Sequence, residues 1–234
     1  MPAAPAEAAV SAALEIQGLR FSYPGALQLS IDSLRLGPGE QALLGGASGA
    51  GKSTLLNLVA GLLDPAAGAV RIAGQAIHER RGAARDLFRG RHLGMIFQTF
   101  NLLPGFSALE NVMLALAAAG KGTSEQRARA AELLRTLGIE RPDASPEDLS
   151  VGQQQRVAVA RAIACRPTLV LADEPTASLD PPTAAAAMDL IQQACRDCGA
   201  ALLCTSHDPA MASRFGRVES IERFLAAPAA GVRS

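Results

Sequence analysis

The sequence predicts an α/β protein with a mainly parallel core sheet, an antiparallel β subdomain near its N-terminus and an inserted α-helical subdomain. Three observations lead to this prediction. Apolar and polar residues alternate over residues 14–36, helical patterns fill residues 101–163, and elsewhere short apolar strands alternate with helices. Such alternation favours parallel strands, because a crossover helix is the usual connection between two parallel strands.

The N-terminal half is predicted to be mostly strands. Residues 14–36 should form two antiparallel strands, interrupted by the turn residues Tyr23, Pro24 and Gly25. A short buried strand at 41–45 leads through a glycine-rich turn into a helix at 52–61. Further strands are predicted at 70–72 and 93–97, and charged residues dominate the stretch between them, over 78–91.

The C-terminal half begins with the predicted helical subdomain, at about residues 100–165. Its helices are expected at 110–119, 124–137 and 151–164. Strands at 169–172, 201–205 and 218–221 then alternate with a helix at about 182–198 and a short helix after Asp208. We therefore expect one domain over residues 14–225, with a disordered leader at 1–13 and a flexible tail at 226–234.

Composition narrows the functional classes. Lys plus Arg and Asp plus Glu each number 22, so the chain has no overall positive charge to attract nucleic acid. No run of 18 uncharged apolar residues suggests a membrane span. Cys195 and Cys198 have a C-x-x-C spacing that could bind metal or exchange disulfides, but no second ligand pair follows, which favours reduced structural thiols.

A phosphate-binding loop is the strongest motif in the chain. Residues 46–53 read G-A-S-G-A-G-K-S, which matches the pattern G-x-x-x-x-G-K-[ST] between a predicted strand and a predicted helix. Glycines in such a loop let backbone N–H groups turn inward around phosphates, and the helix N-terminus adds a positive dipole. Lys52 is expected to reach the β and γ phosphates, and Ser53 to bind Mg²⁺.

Two adjacent carboxylates end the buried strand at 169–172. Ligands of parallel α/β sheets bind at the carboxyl ends of the strands, so Asp173 and Glu174 should lie near the nucleotide. Asp173 is expected to hold the Mg²⁺ shell. Glu174 could orient or deprotonate the attacking water.

A third motif, Leu149-Ser150-Val151-Gly152-Gln153, resembles the LSGGQ signature of ABC-type ATPases and lies at the start of a predicted helix between the other two motifs. The chain is therefore identified as similar to this family over nearly its whole length. The resemblance implies four further roles: Tyr23 stacks on adenine, Gln98 touches Mg²⁺ and senses the γ-phosphate, Asp180 belongs to the dimer-crossing D-loop, and His207 hydrogen-bonds the γ-phosphate.

The complete site expected from the motifs and the resemblance has three groups of residues. The catalytic residues are Glu174, His207, Lys52 and Gln98, and the Mg²⁺ ligands are Ser53, Gln98 and Asp173. The residues expected to bind ATP are Tyr23, Gly46, Ala47, Ser48, Gly49, Ala50, Gly51, Lys52, Ser53, Thr54, Gln98, Ser150, Gly152, Gln153, Asp180 and His207.

The signature departs from the family pattern at one position, where Val151 replaces the first glycine. A β-branched side chain narrows the accessible backbone conformations. If Ser150 and the backbone of Gly152 make the main contacts to the opposing γ-phosphate, closure survives, and we expect an active enzyme.

The family resemblance also implies partners. It predicts a head-to-tail homodimer in which each signature completes the ATP site of the other copy, bound to an integral membrane permease at the cytoplasmic face of the inner membrane. The apolar loop at 99–106 is expected to receive the permease, although its side chains could instead close the helical subdomain's own core.

The subtype has several candidates. Residues 91–98, 102–104 and 110–112 are similar to the lipoprotein-release and macrolide-export group, which favours export or lipid extraction. The alternatives are an importer subunit and an FtsE-like ATPase that regulates a membrane partner without transport. A DNA- or ribosome-directed ABC ATPase and a small-molecule kinase of the P-loop class fit the sequence less well.

Overall fold

A computed structural model describes residues 11–23 and 28–225 of the chain. The predicted turn residues Pro24 and Gly25, most of the predicted leader (residues 1–10) and the predicted tail (226–234) lie outside the described residues. Within the predicted leader, Ala12 and Ala13 are buried just before the first strand. The domain boundaries therefore stay a prediction.

The described residues contain strands and helices in the order that the sequence indicates. The strands are β1 (Leu14–Ser22), β2 (Gln28–Leu36), β3 (Gln41–Gly45), β4 (Ala67–Ile72), β5 (Gln75–Ala76), β6 (Leu93–Ile96), β7 (Leu169–Asp173), β8 (Ala201–Ser206) and β9 (Arg217–Ser220). The α-helices are α1 (Lys52–Val59), α2 (Gly82–His92), α3 (Ala108–Ala118), α4 (Thr123–Thr136), α5 (Val151–Ile163) and α6 (Pro181–Cys198). Short 3₁₀ helices span Pro146–Asp148, Pro209–Arg214 and Ile221–Phe224.

The strands form two sheets. The antiparallel sheet has the order β2-β1-β4-β5, and β1 pairs with β2 from Leu14 opposite Leu36 to Ser22 opposite Gln28. The second sheet has the order β6-β7-β8-β3-β9, and every pair in it is parallel. This arrangement confirms the predicted α/β fold with a parallel core sheet and an antiparallel β subdomain.

The parallel sheet separates two hydrophobic cores. Side chains of a strand point alternately to opposite faces, and in β7 Leu169 and Leu171 join one core while Val170 and Ala172 join the other. The first core lies among the parallel sheet, α1 and the antiparallel sheet, and the second contains the buried faces of α3, α4, α5 and α6. Because β7 is buried on both faces, its sequence is continuously apolar until the carboxylates at its end.

Local capping signals fix where α3 and α6 begin. Ser107 caps α3 and forms a reciprocal capping box with Glu110, so two otherwise unpaired backbone N–H groups are satisfied. Asp180 caps α6 by accepting a hydrogen bond from the backbone of Thr183, and two prolines occupy the first helical positions, where no N–H is needed. The helix α6 ends at Gly199, which adopts a φ of 74°.

The helix α2 covers the charged stretch for which the sequence indicated no element. Phe88 of this helix is buried in the first core, and arginines add polar contacts: Arg85 and Arg89 each donate to the carbonyl of Gly61 at 3.2 Å, and Arg85 pairs with Asp64 at 2.9 Å. An amphipathic pattern is read from apolar residues. Only two large apolar residues, Leu87 and Phe88, lie in this helix, so its apolar pattern is short and charged residues dominate the sequence.

Candidate active site

The phosphate-binding loop connects β3 to α1 in a conformation that depends on glycine. Gly46, Gly49 and Gly51 have φ values of 143°, 76° and 100°, which side chains of L-residues rarely allow. Gly46 is also restricted by packing, since a Cβ there would lie 2.3 Å from Cγ2 of Ile221. The first glycine of the motif is therefore required both by its backbone angle and by the segment that follows β9.

Lys52 is the first residue of α1 and is almost completely buried. Its ammonium donates to the carbonyl oxygens of Gly46 and Ala47, each at 2.9 Å, and lies 3.0 Å from Oε1 of Glu174. A buried ammonium needs such partners, because removing a charge from water is costly unless it is paired. The loop therefore wraps its own lysine and directs it toward the carboxyl end of β7.

The predicted Mg²⁺ ligands Ser53 and Asp173 are brought together. The hydroxyl of Ser53 donates to Oδ1 of Asp173 at 3.0 Å, although the two residues belong to α1 and β7. Thr205, at the end of β8, donates to the same carboxylate oxygen at 2.8 Å. The neighbouring strand ends thus fix the position of Asp173.

Glu174 directly follows β7 and is the centre of the network. It is a non-glycine residue with a φ of 45°, and its backbone N–H donates to Oγ1 of Thr205 at 3.0 Å. Its carboxylate contacts Lys52 through one oxygen, and Nδ1 of His207 lies 2.7 Å from the other. Residues in left-handed conformations cluster at functional sites, where surrounding contacts hold them in place.

The charge state of Glu174 follows from these contacts. Partial burial alone would raise the pKa of this carboxyl, but the hydrogen bonds from Lys52 and His207 lower the pKa below its ordinary value of 4.5. Glu174 is therefore ionised at neutral pH and can accept a proton. The ionised form is the protonation state that a general base needs.

The exposed residues of the predicted site are positioned by helix and strand ends. Gln98 lies in the turn after β6, and Ser150 and Asp180 cap α5 and α6. Ser150 and Gln153 form a capping box, with Gln153 N–H 3.3 Å from Oγ of Ser150 and Ser150 N–H 2.9 Å from Oε1 of Gln153. Among the described residues, no hydrogen bond joins Gln98, Ser150 or Asp180 to the network of Lys52 and Glu174.

Comparison with known proteins shows which family the chain belongs to. A family model described as "ABC transporter" matches residues 29–177. The chain is 44% identical over 196 residues to the lipoprotein-releasing system ATP-binding protein LolD of Chromohalobacter salexigens, covering 82% of this chain and 83% of that protein. The chain belongs to the ABC transporter ATP-binding family.

Two further relatives agree with the family assignment. The macrolide export ATP-binding/permease protein MacB of Syntrophobacter fumaroxidans is 39% identical over 225 residues, which cover 93% of this chain and 32% of that protein. A solved ATP-binding cassette, in a dimeric post-hydrolysis state bound to ADP and Pi, superposes with a TM-score of 0.77 at 33% identity, covering 88% of this chain and 93% of that one. The predicted family, fold and ATP hydrolase activity are thereby confirmed.

The donor set of this ABC ATPase fits its nucleotide. The loop around Lys52 offers backbone N–H groups and a buried ammonium to phosphates. In residues 11–23 and 28–225, no group of three or more His, Cys, Asp and Glu side chains could hold a metal ion. The hydroxyl of Ser53 and the carboxylate of Asp173 nevertheless supply hard oxygen ligands, and Mg²⁺ commonly binds through one or two protein groups together with substrate phosphates.

Tyr23 directly follows β1, and its side chain is partly exposed. Its ring packs edge-on against Phe21, with ring centroids 4.9 Å apart. The orientation of the Tyr23 ring is therefore restricted by a neighbour on β1. Its stacking on adenine stays a prediction.

Sequence reasoning missed Thr205 and Glu222 as members of the site. Thr205 is fully buried and bridges Asp173 and Glu174, and its signal was a hydroxyl at the end of an apolar strand. Glu222 accepts a hydrogen bond at 3.3 Å from the backbone N–H of Ala47, in the phosphate-binding loop. No motif marked Glu222, because the contact joins segments that are far apart in the sequence.

The C-x-x-C pair lies away from this chemistry, on α6. Both cysteines are free thiols. Cys195 is buried in the second core, and burial raises the pKa of its thiol to about 12. The thiol therefore stays protonated at neutral pH, and a protonated thiol is a poor nucleophile.

Proposed function

We propose that this ABC ATPase is the energy-supplying subunit of a transporter of the lipoprotein-release and macrolide-export group, bound to a separate membrane permease. It acts as a Mg²⁺-dependent, head-to-tail homodimer at the cytoplasmic face of the inner membrane. No helix in the described part of the chain is long and apolar enough to cross a membrane.

The observation that carries the transport assignment is the similarity to lipoprotein-releasing ATP-binding proteins over most of both chains. The macrolide-export relative supports the same group, although its printed name joins ATP-binding and permease parts in one protein. Export or extraction is therefore favoured over import. Two cargo classes follow, acylated proteins and amphipathic small molecules.

The hydrolytic step rests on the groups around Glu174. Its carboxylate is positioned to take a proton from the attacking water, and His207 holds the carboxylate from the side opposite Lys52. Lys52 supplies positive charge for the γ-phosphate, where negative charge develops during transfer. Mg²⁺, held by Ser53, Asp173 and Gln98, would neutralise phosphate charge.

The dimer is supported by where the signature lies. Ser150, Val151 and Gly152 are exposed at the N-terminus of α5. A helix N-terminus with unpaired backbone N–H groups favours a phosphate, yet these residues form no hydrogen bond with the phosphate-binding loop of their own chain. A second copy, arranged head to tail, would bring each signature onto the nucleotide of the other.

An apolar groove beside β6 is the proposed docking site for the permease. It has a volume of about 230 Å³ and lies between the end of β6 and the helices α2, α3 and α5. The lining includes Leu62, Met95, Phe97 and Ala115, and Leu62 is 52% exposed. The groove ends at Phe97, next to Gln98, so an occupant would contact the segment that is expected to sense the γ-phosphate.

The apolar loop that the sequence pointed to divides between two environments. Leu102 packs against the second core, as expected for a residue that closes the subdomain. Leu103 and Phe106 are 47% and 41% exposed. These two side chains expose apolar surface that a permease could also cover.

Coexpression with a candidate membrane permease, such as one encoded in a neighbouring reading frame, tests the proposal. We expect the two to copurify, and ATP hydrolysis by the complex to rise when an acylated protein is added. Leu62→Asp should abolish copurification. Val218→Asp is the matched control, because Val218 is a similarly exposed apolar residue on β9, at the opposite edge of the parallel sheet.

The outcomes separate the alternatives. A complex whose ATP hydrolysis rises with an acylated protein supports lipoprotein release, and one that responds to a macrolide instead supports drug export. A complex that forms without any cargo response would favour an FtsE-like regulator. Failure of wild type to bind the permease would contradict the proposed partner.

A further inference from the structure

The segment after Gln98 has an unusual backbone. Phe100 and Asn101 are consecutive non-glycine residues with φ values of 59° and 47°. Asparagine tolerates this left-handed region, but a bulky residue such as phenylalanine is a clear outlier there. The turn is also tight, because Asn101 N–H donates to the carbonyl of Thr99 at 2.6 Å. Surrounding contacts must hold such a conformation.

Arg161 of α5 makes the contacts at this turn. Its guanidinium donates to the carbonyl oxygen of Phe100 at 2.6 Å and to that of Asn101 at 2.5 Å. The planar guanidinium presents donors in a fixed arrangement, so it can bind two successive carbonyls together. The side chain is half-buried, and burial lowers the pKa of Arg161 below its ordinary value. The guanidinium of Arg161 therefore lies against the turn at Phe100 and Asn101.

The far end of the same loop is held separately. Asn111 of α3 is buried, accepts a hydrogen bond at 2.7 Å from the backbone N–H of Leu103, and donates to the carbonyls of Leu103, Phe106 and Ser107. The loop that follows Gln98 therefore has two polar anchors. Asn111 fixes the part next to α3, whereas Arg161 fixes the part next to Gln98.

We propose that Arg161 is a positioning residue that stabilises the left-handed conformation of Phe100 and Asn101, and thereby fixes Gln98 relative to α5. The same helix begins at the signature, about three turns before Arg161. A shift of the signature helix is thus transmitted to Gln98 through one guanidinium. Arg161 also lines the apolar groove, so an occupant of the groove would act on the same contact.

The inference rests on the proposed role of Gln98 in sensing the γ-phosphate, and steady-state ATP hydrolysis by the purified chain tests it without a permease. Arg161→Lys keeps the charge but cannot bind both carbonyls in the same planar arrangement. We expect kcat to fall about tenfold while KM for ATP changes by less than about twofold, because the phosphate-binding loop is untouched. Arg135→Lys, on the exposed side of α4, is the matched control and should change neither value.

A glycine rescue distinguishes positioning from general stability. Glycine adopts positive φ values without steric cost, so Phe100→Gly should reduce the need for the clamp. In the Arg161→Lys background, Phe100→Gly should restore about half of the lost kcat or more. We expect Arg161→Lys to raise the hydrogen-exchange rate of the backbone amides at 99–103, and Phe100→Gly to lower that rate again. An unchanged kcat in Arg161→Lys, a large rise in KM, or no recovery with glycine would each overturn the proposal.

Gln98→Ala separates this inference from the proposed function. If Gln98→Ala lowers kcat and Arg161→Lys does not, Arg161 has no positioning role, although Gln98 acts as proposed. If Gln98→Ala leaves kcat unchanged, the proposed role of Gln98 is wrong. Neither result depends on the identity of the permease or the cargo.

Discussion

The ammonium of Lys52 lies 3.0 Å from Oε1 of Glu174, so the phosphate-binding lysine and the proposed general base form an ion pair. Both side chains are largely shielded from water, which strengthens their attraction relative to a surface pair. Phosphate oxygens of ATP would compete for the same ammonium. Nucleotide binding and the availability of Glu174 are therefore linked by one contact.

Replacing Glu174 by Gln should abolish turnover while keeping nucleotide binding. We expect ATP hydrolysis to fall at least about 100-fold, because the amide cannot accept the proton of the attacking water. Lys52 keeps its carbonyl partners, so the affinity for ATP should stay within about tenfold. Phosphate release, binding of a fluorescent ATP analogue and light scattering with ATP measure turnover, affinity and dimer formation.

The dimer provides a second readout of the same variant. Without hydrolysis the closed, ATP-bound dimer does not open. Glu174→Gln should therefore elute as a dimer in ATP and as a monomer in ADP. Glu140→Gln, a carboxylate change on the exposed surface, should behave like wild type. A Glu174→Gln variant with normal phosphate release would refute the assignment of the base.

Thr205 should matter both for stability and for catalysis. Its buried hydroxyl joins Oδ1 of Asp173 and the backbone N–H of Glu174. Thr205→Val preserves the shape but removes both hydrogen bonds, which should lower the free energy of unfolding by about 1–3 kcal/mol. Urea denaturation measures the free energy of unfolding, and steady-state ATP hydrolysis measures kcat. Thr205→Ser, which retains the hydroxyl, should keep most of the stability and most of the activity. Equal losses in the two variants would indicate that the methyl group matters instead.

The ion pair also predicts how stability depends on pH. Because the pKa of Glu174 is lowered in the folded protein, the folded state favours the ionised carboxylate relative to the unfolded chain. This contribution is present above about pH 4.5, the ordinary value, and is lost as pH falls through the lower folded value. Urea denaturation of wild type and Glu174→Gln should show a stability gap that shrinks below pH 4.5. A gap that widens on acidification would contradict the pairing.

Much of the nucleotide site could be predicted from sequence because its parts lie at the carboxyl ends of adjacent parallel strands. The apolar run of β7 places Asp173 and Glu174, and β8 places His207, at the edge where the loop after β3 begins. Local sequence patterns therefore predicted that residues far apart in the chain lie close together at this edge of the sheet. The family resemblance added Tyr23, Gln98, Ser150, Asp180 and His207. Within the described residues His207 contacts Glu174 at that edge, whereas Gln98, Ser150 and Asp180 form no hydrogen bond with it.

What sequence could not supply are contacts made by residues without a local signature. Arg161 lies in the last turn of α5, where a basic residue is common because it complements the helix dipole, yet its guanidinium reaches the backbone of Phe100. Glu222 meets the phosphate-binding loop only because β9 pairs with β3. The helix α2 has only two large apolar residues, Leu87 and Phe88, among its charged residues, so its apolar pattern is too short to predict a helix.

The altered signature raises the question of whether Val151 limits the rate of ATP hydrolysis. Val151 is the first residue of α5, 54% exposed, and its backbone has no unusual φ, so its branched side chain introduces no strain. A Cβ at Gly152 would meet no atom within 4 Å, so neither position needs glycine for the fold of the single chain. We therefore expect the preference of the family for glycine at this position to reflect contacts with the proposed partner copy.

We therefore expect Val151→Gly to leave the fold intact and to change ATP hydrolysis by less than about threefold, which corresponds to about 0.7 kcal/mol in the barrier. The capping box of Ser150 and Gln153 does not involve the side chain at 151 and should keep the signature in place. Steady-state hydrolysis at saturating ATP measures the effect. Val151→Ala separates side-chain size from backbone freedom: a tenfold gain in both variants would mean that the isopropyl group obstructs closure, whereas a gain in glycine alone would mean that the backbone must rearrange when the two copies meet.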